Sequence, residues 1–115
     1  MKPIEREEVQ RAIDSFCERD VFLHLETTNG AYASHHDESF FSAGAYIRNA
    51  KVRYEHGKIV GDDPYRVGLK LEIGWVYAEG LNHFEIDEQG RLLLAGLDST
   101  GKLAVALQIS PQPFE

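Results

Sequence analysis

Cysteine is nearly absent from this chain, and so are other features that would mark a known class of protein. Cys17 is the one cysteine among 115 residues, so no disulfide can form within the chain. A single thiol is typical of a reducing compartment. No apolar run approaches the ~18–20 residues that a membrane-spanning helix needs, and the N-terminus has no secretory signal pattern. We therefore expect a cytoplasmic protein without a membrane partner.

A surplus of basic residues is also missing. Twelve lysines and arginines oppose nineteen acidic residues, which gives a formal charge of −7. Nucleic-acid binding needs a basic surface to neutralise phosphates, so we expect no nucleic-acid partner. Nucleophile-elbow, phosphate-loop and dinucleotide-binding motifs are absent too. The sequence therefore favours a protein that is not an enzyme and carries no cofactor.

What is present fits one domain over residues 1–115, with 43% hydrophobic residues. Apolar residues recur at helical spacing near the N-terminus, which predicts an amphipathic helix from about Pro3 to Glu18. Its apolar stripe consists of Ile4, Val9, Ala12, Ile13 and Phe16. Antiparallel strands are predicted over about residues 20–110, and the short tail 111–115 contains two prolines that cannot continue a central strand.

The strand signals are regular alternations of apolar and polar residues. Val21, Leu23 and Leu25 alternate with Phe22, His24 and Glu26. Asn29-Gly30 is a strong turn pair, which predicts a short returning strand over Ala31–Ser34. The stretch Tyr65–Gly80 alternates so strictly that it predicts one long strand. Its two interior glycines indicate a bend, a bulge or the close approach of another backbone.

Three similar stretches predict tight turns that each lead into a strand: HGKI at 56–59, QGRL at 89–92 and TGKL at 100–103. The segments Leu92–Leu97 and Leu103–Leu107 are apolar on both faces, so both faces must be covered. We expect a mainly β fold, a small antiparallel barrel or curled sandwich of about seven strands with one helix. The helix, curvature of the barrel or a second subunit could cover the second face, and we expect a homodimer.

Histidines supply the candidates for metal binding. His35 and His36 lie in the stretch SHHDES, where adjacent side chains of an extended chain point in opposite directions, so a polar loop is the favoured interpretation. His24 lies two residues before Glu26, on one strand face, as a general base or a solvent-facing pair would. A zinc site would require His24, His83 and the His35-His36 loop to converge. Cys17 is expected to be a partly buried thiol.

Aromatic residues supply the candidates for ligand binding. The stretch GWVYAEGLNHF concentrates aromatic rings beside a few polar groups, a composition that fits either a barrel core or a binding surface. The candidate binding residues are Trp75, Tyr77, Asn82, His83 and Phe84.

The stretch Asn49–Asp87, with the N-terminal helix and the meander after Gly90, resembles the YojF-like family of small proteins from Bacillus-type bacteria. This resemblance covers essentially the whole chain, but the family supplies no residue with an assigned role. Its association with a zinc-dependent sugar deacetylase of low-molecular-weight thiol synthesis implies at most an accessory role. The leading hypothesis is a non-enzymatic module that binds a small molecule or a protein partner. The alternative is a small metal-dependent hydrolase built on the histidines.

Overall fold

The strands of this protein are arranged in two antiparallel sheets with one helix. The structure is a computed structural model that describes residues 1–29 and 43–115. Its elements are β1 (Lys2–Pro3), α1 (Arg6–Ser15), β2 (Val21–Asn29), β3 (Ala43–Val52), β4 (Tyr54–Gly61), β5 (Tyr65–Leu71), β6 (Trp75–Leu81), β7 (His83–Ile86), β8 (Leu92–Leu97) and β9 (Leu103–Ser110).

The six-stranded sheet has the order β1-β7-β8-β9-β2-β3, and the three-stranded sheet has the order β4-β5-β6. Strand β6 packs over β8 and β9, while α1 contacts β4 and β8. A mainly β, sandwich-like fold with one helix is therefore confirmed. A closed barrel is wrong, because the hydrogen-bonded ladder ends where the chain crosses between the sheets at Arg53 and Asn82. Nine strands, not seven, lie in the described ranges.

The helix uses the predicted apolar stripe but is shorter than expected. Val9, Ile13 and Phe16 are buried in the core. Pro3 does not begin the helix, because Lys2–Pro3 pairs with β7 and the Ile4 N–H donates to the Asn82 carbonyl at 3.0 Å. Within the described ranges no helix is long and apolar enough to cross a bilayer.

The helix also closes one edge of the three-stranded sheet. Gln10 Nε2 donates to the Gly57 carbonyl at 3.0 Å, and the Ile59 N–H donates to Gln10 Oε1 at 3.0 Å. The Gln10 amide thus replaces a neighbouring strand along the edge of β4. Gly57 is required here for packing, since a Cβ would lie 2.6 Å from Ile13 Cγ2.

Two sequence expectations about strands are corrected. The alternating stretch Tyr65–Gly80 is not one strand: Gly74, with a φ of 94°, makes a tight turn that separates β5 from β6. The HGKI stretch is not a turn either, because it lies inside β4. The expected strand Ala31–Ser34 lies outside the described residues.

Candidate functional site

The outer face of the three-stranded sheet carries a pair of stacked aromatic rings. Residues of β6 alternate, so Ala78 points into the core while Trp75 and Tyr77 point outward. Their ring centroids lie 5.4 Å apart and the ring planes are inclined by 7°. Both side chains are about half exposed, at 50% and 54%. Two large rings are thus held parallel on a sheet surface instead of being buried between the sheets.

Gly68, on the central strand, determines where Tyr77 lies. These two residues are directly paired across β5 and β6. A Cβ on Gly68 would lie 2.9 Å from Tyr77 Cε1, so the tyrosine ring lies against the glycine backbone. Glycine in a strand interior costs about 0.5–1 kcal/mol relative to alanine. The close approach of the ring is the physical reason for this glycine.

Charged side chains surround the ring pair. Lys70 is paired with Trp75 across the strands, and its Nζ contacts Glu55 Oε1 at 2.5 Å. Arg66 lies 3.8 Å from Glu79. Lys58 is paired with Gly68, is exposed, and has no ion pair among the described residues. The face therefore combines two aromatic rings with one cation that is not neutralised by a described neighbour.

The other three predicted binding residues lie beyond the ring pair, where β6 passes into β7. The Asn82 side chain bonds to the backbone of Leu97, with Nδ2 to the carbonyl at 2.9 Å and the N–H to Oδ1 at 3.0 Å. His83 Nδ1 lies 2.7 Å from Asn82 Oδ1. Phe84 is fully buried in the core. The structure thus brings Trp75 and Tyr77 together and assigns Asn82 and Phe84 contacts that hold the two sheets in place.

The histidine candidates do not meet within the described residues. His24 on β2 is only 9% exposed, and its Nε2 lies 3.0 Å from Glu26 Oε1. His83 on β7 is three strands away, so the backbones are separated by roughly 14 Å, too far for one metal ion. No group of three or more metal-ligating side chains occurs in the described ranges. His35 and His36 lie outside those ranges.

A polar and aromatic cluster that was not predicted from the sequence surrounds Phe114. The Asn49 side chain accepts the Phe114 N–H at 2.7 Å and donates to the Phe114 carbonyl at 2.8 Å. Arg48 lies 4.4 Å over the Phe114 ring, and the His24 ring lies 6.3 Å from it. Asn49 has a φ of 60° and is the extra residue of a bulge opposite β2. The sequence feature that could have pointed to this cluster is Phe114, the one aromatic residue of the proline-containing tail 111–115.

Cys17 is partly buried, as expected. Its Sγ donates to the Glu55 carbonyl at 3.0 Å. Burial raises the pKa of this thiol, and the nearby carboxylates of Glu18 and Asp14 raise it further. The thiol is therefore protonated at neutral pH, which does not favour a role as a nucleophile.

Comparison with known proteins supports the resemblance drawn from the sequence. The model of a family described as "Protein of unknown function (DUF1806)" matches residues 3–114. The uncharacterized protein YojF of Bacillus subtilis (strain 168) is 54% identical over 114 residues, which cover 99% of this chain and 98% of the relative. The crystal structure of Bacillus subtilis YojF matches with a TM-score of 0.84 at 50% identity, covering 99% of this chain and 96% of the other. The chain therefore belongs to the DUF1806 family, and its resemblance to YojF is confirmed over nearly the full length.

Proposed function

We propose that this protein is a non-enzymatic binding module whose contact surface is the outer face of the three-stranded sheet. The stacked and half-exposed pair Trp75 and Tyr77 carries the proposal. A small molecule or a protein partner would cover these rings.

The exposed parts of the two rings favour binding on energetic grounds. Aromatic side chains bury ~150–250 Å² each, so a half-exposed ring still offers roughly 100 Å² to a ligand. The ring pair is attached to the edge strand β6 and lies against Gly68, so its orientation is already set before a ligand arrives. A preformed surface loses little entropy on binding.

Trp75 is the one tryptophan of the chain, so its indole N–H signal reports this face directly in an NMR spectrum. We expect small-molecule fractions of a bacterial extract to contain a component that shifts the Trp75 indole signal and the amides of Gly68 and Lys70. Tyr77→Ala should abolish these shifts while the far-ultraviolet circular dichroism stays unchanged.

Ile73→Ser provides a matched control, because Ile73 is an 89% exposed apolar side chain in the turn between β5 and β6. This variant should bind as the parent protein does. Shifts confined to the surroundings of His24, or shifts that survive Tyr77→Ala, would place the binding surface elsewhere.

Three further parts of the proposal have separate support. A cytoplasmic location is supported by the single cysteine, which is typical of a reducing compartment. An accessory role beside a deacetylase of thiol synthesis is supported by the family resemblance alone. A homodimer is supported by the long edge strand β3, which ends the six-stranded sheet. The alternative, a metal-dependent hydrolase, remains a prediction, because two of its candidate ligands, His35 and His36, lie outside the described ranges.

A further inference from the structure

We infer that the ligand of the aromatic face is a small molecule that joins a planar aromatic ring to an anionic group. A nucleoside monophosphate, with its base and its phosphate, is of this chemical class. The juxtaposition of the Trp75–Tyr77 stack with Lys58, across Gly68, points to this chemistry. The inference rests on the proposed function and names the class of ligand for the same face.

The geometry of the rings selects a planar partner. Trp75 and Tyr77 are parallel to within 7°, so a third flat ring can extend the stack in the same orientation. Nucleobases stack on exposed aromatic side chains of sheets in this manner, whichever base is present. Gly68 contributes no side chain at the centre of the face, so the Tyr77 ring lies against its backbone and the orientation of the stack is fixed.

The charge of the ligand follows from the cations of the face. Lys70 and Arg66 are engaged by Glu55 and Glu79. Lys58 has no ion pair among the described residues. It lies two strands from Tyr77, a backbone separation of roughly 10 Å that a lysine side chain can largely span. An anionic group attached to the stacked ring would therefore meet Lys58.

The size of the ligand follows from the charge of the whole chain. A formal charge of −7 repels a polyanion, whereas a single phosphate needs only one local cation. Single-stranded nucleic acid would require a basic groove that follows its backbone. A free nucleotide can bind this face without such a groove.

The test is a titration of Trp75 fluorescence at low salt with three probes. Adenosine 5′-monophosphate carries both ring and charge, adenosine carries the ring alone, and ribose 5-phosphate carries the charge alone. We expect saturable quenching by the nucleotide, at least fivefold weaker binding of adenosine, and no response to ribose 5-phosphate.

Lys58→Ala should lower the affinity for the nucleotide to that for adenosine and leave adenosine binding unchanged. Lys51→Ala is the control, since Lys51 is an exposed cation of the six-stranded sheet, 3.8 Å from Asp20. It should bind all three probes as the parent does.

Two outcomes would overturn the inference and leave the proposed function standing. One is equal affinity for adenosine and the nucleotide. The other is no quenching by either aromatic probe while extract fractions still shift the Trp75 indole signal. If no extract fraction shifts that signal, and the aromatic probes are also without effect, the proposed function fails together with the inference.

Discussion

Tyr54 shows how one polar group in the core is satisfied. Its side chain is fully buried, and its hydroxyl donates to the Ile13 carbonyl at 2.5 Å. Ile13 lies in the last turn of α1, and its carbonyl also accepts the Phe16 N–H at 3.2 Å. Burial raises the pKa of Tyr54 far above its ordinary range. The phenol is therefore a permanent donor that ties the helix to β4.

Tyr54→Phe should reduce the free energy of unfolding by about 1 kcal/mol, because the variant loses this buried hydrogen bond, while the Ile13 carbonyl keeps the one from the Phe16 N–H. Urea unfolding at pH 7 measures the change. Tyr77→Phe is the matched control, and since that side chain is half exposed we expect a change within about 0.5 kcal/mol. Equal unfolding midpoints for the two variants would contradict the assignment of Tyr54.

At the scale of elements, two hairpin turns share one mechanism. Asp87 Oδ1 accepts the N–H groups of Gln89 and Arg91, each at 2.9 Å. Asp98 Oδ1 accepts those of Thr100 and Lys102, also each at 2.9 Å. The QGRL and TGKL stretches were correctly predicted as turns from their glycines. The aspartates that precede these glycines by three residues, and hold the turns closed, were not recognised.

The same glycine pattern failed at HGKI for a physical reason. Gly57 is surrounded by Ile13, Leu69 and Tyr54, so its missing side chain makes room for the helix and is not needed for a turn. A local pattern of glycine, base and aliphatic residue cannot distinguish these two uses. Only the aspartate three residues before the glycine distinguishes the two turns from the strand.

The two turns should make stability depend on pH. Burial alone would raise the pKa of Asp87, but bonds from Arg91 and Gln89 outweigh it and hold this pKa below its ordinary value. Bonds from the Thr100 hydroxyl and from backbone N–H groups lower the pKa of Asp98. Groups with a lowered pKa contribute stability above the unfolded value, about 3.9, and lose it as pH falls through the folded value.

The doubly substituted Asp87→Asn, Asp98→Asn protein should therefore be less stable than the parent at pH 6, and this difference should shrink at pH 3. Urea midpoints at the two pH values measure it. Asp62→Asn, in the exposed turn after β4, is the control. Its urea midpoint should equal that of the parent at both pH values. A difference that is the same at pH 6 and pH 3 would show that the turn aspartates do not act through their charge.

At the scale of the whole molecule, alternation predicted which residues face the core but not how the strands divide into sheets. Barrels and sandwiches both bury one face of each strand, so the pattern is the same for both. The chain changes sheets at Arg53 and at Asn82, and the alternation of apolar residues does not mark either position. For this reason the aromatic stretch 74–84 was treated as one site, although its last two residues, His83 and Phe84, belong to the other sheet.

At this scale, the edge of the six-stranded sheet is a better candidate for a dimer interface than the meander. The second face of the meander was expected to be covered by the helix, by curvature of the barrel or by a second subunit. Within one chain, however, Ala95 and Ala106 on that face are already buried. The edge of β3 is a stronger reason. The opposite edge, β1, has two residues and a proline, whereas β3 runs for ten residues with Tyr46 and Ile47 exposed.

We therefore expect two copies to associate along β3, because a long exposed edge strand readily pairs with another strand. Light scattering should give twice the mass of 13.0 kDa. Ile47→Lys should give a folded monomer, since lysine on an edge strand opposes pairing. Ile73→Lys, at another exposed isoleucine in the turn between β5 and β6, should remain a dimer. A parent protein of monomer mass, or an Ile47→Lys protein of dimer mass, would rule out this interface.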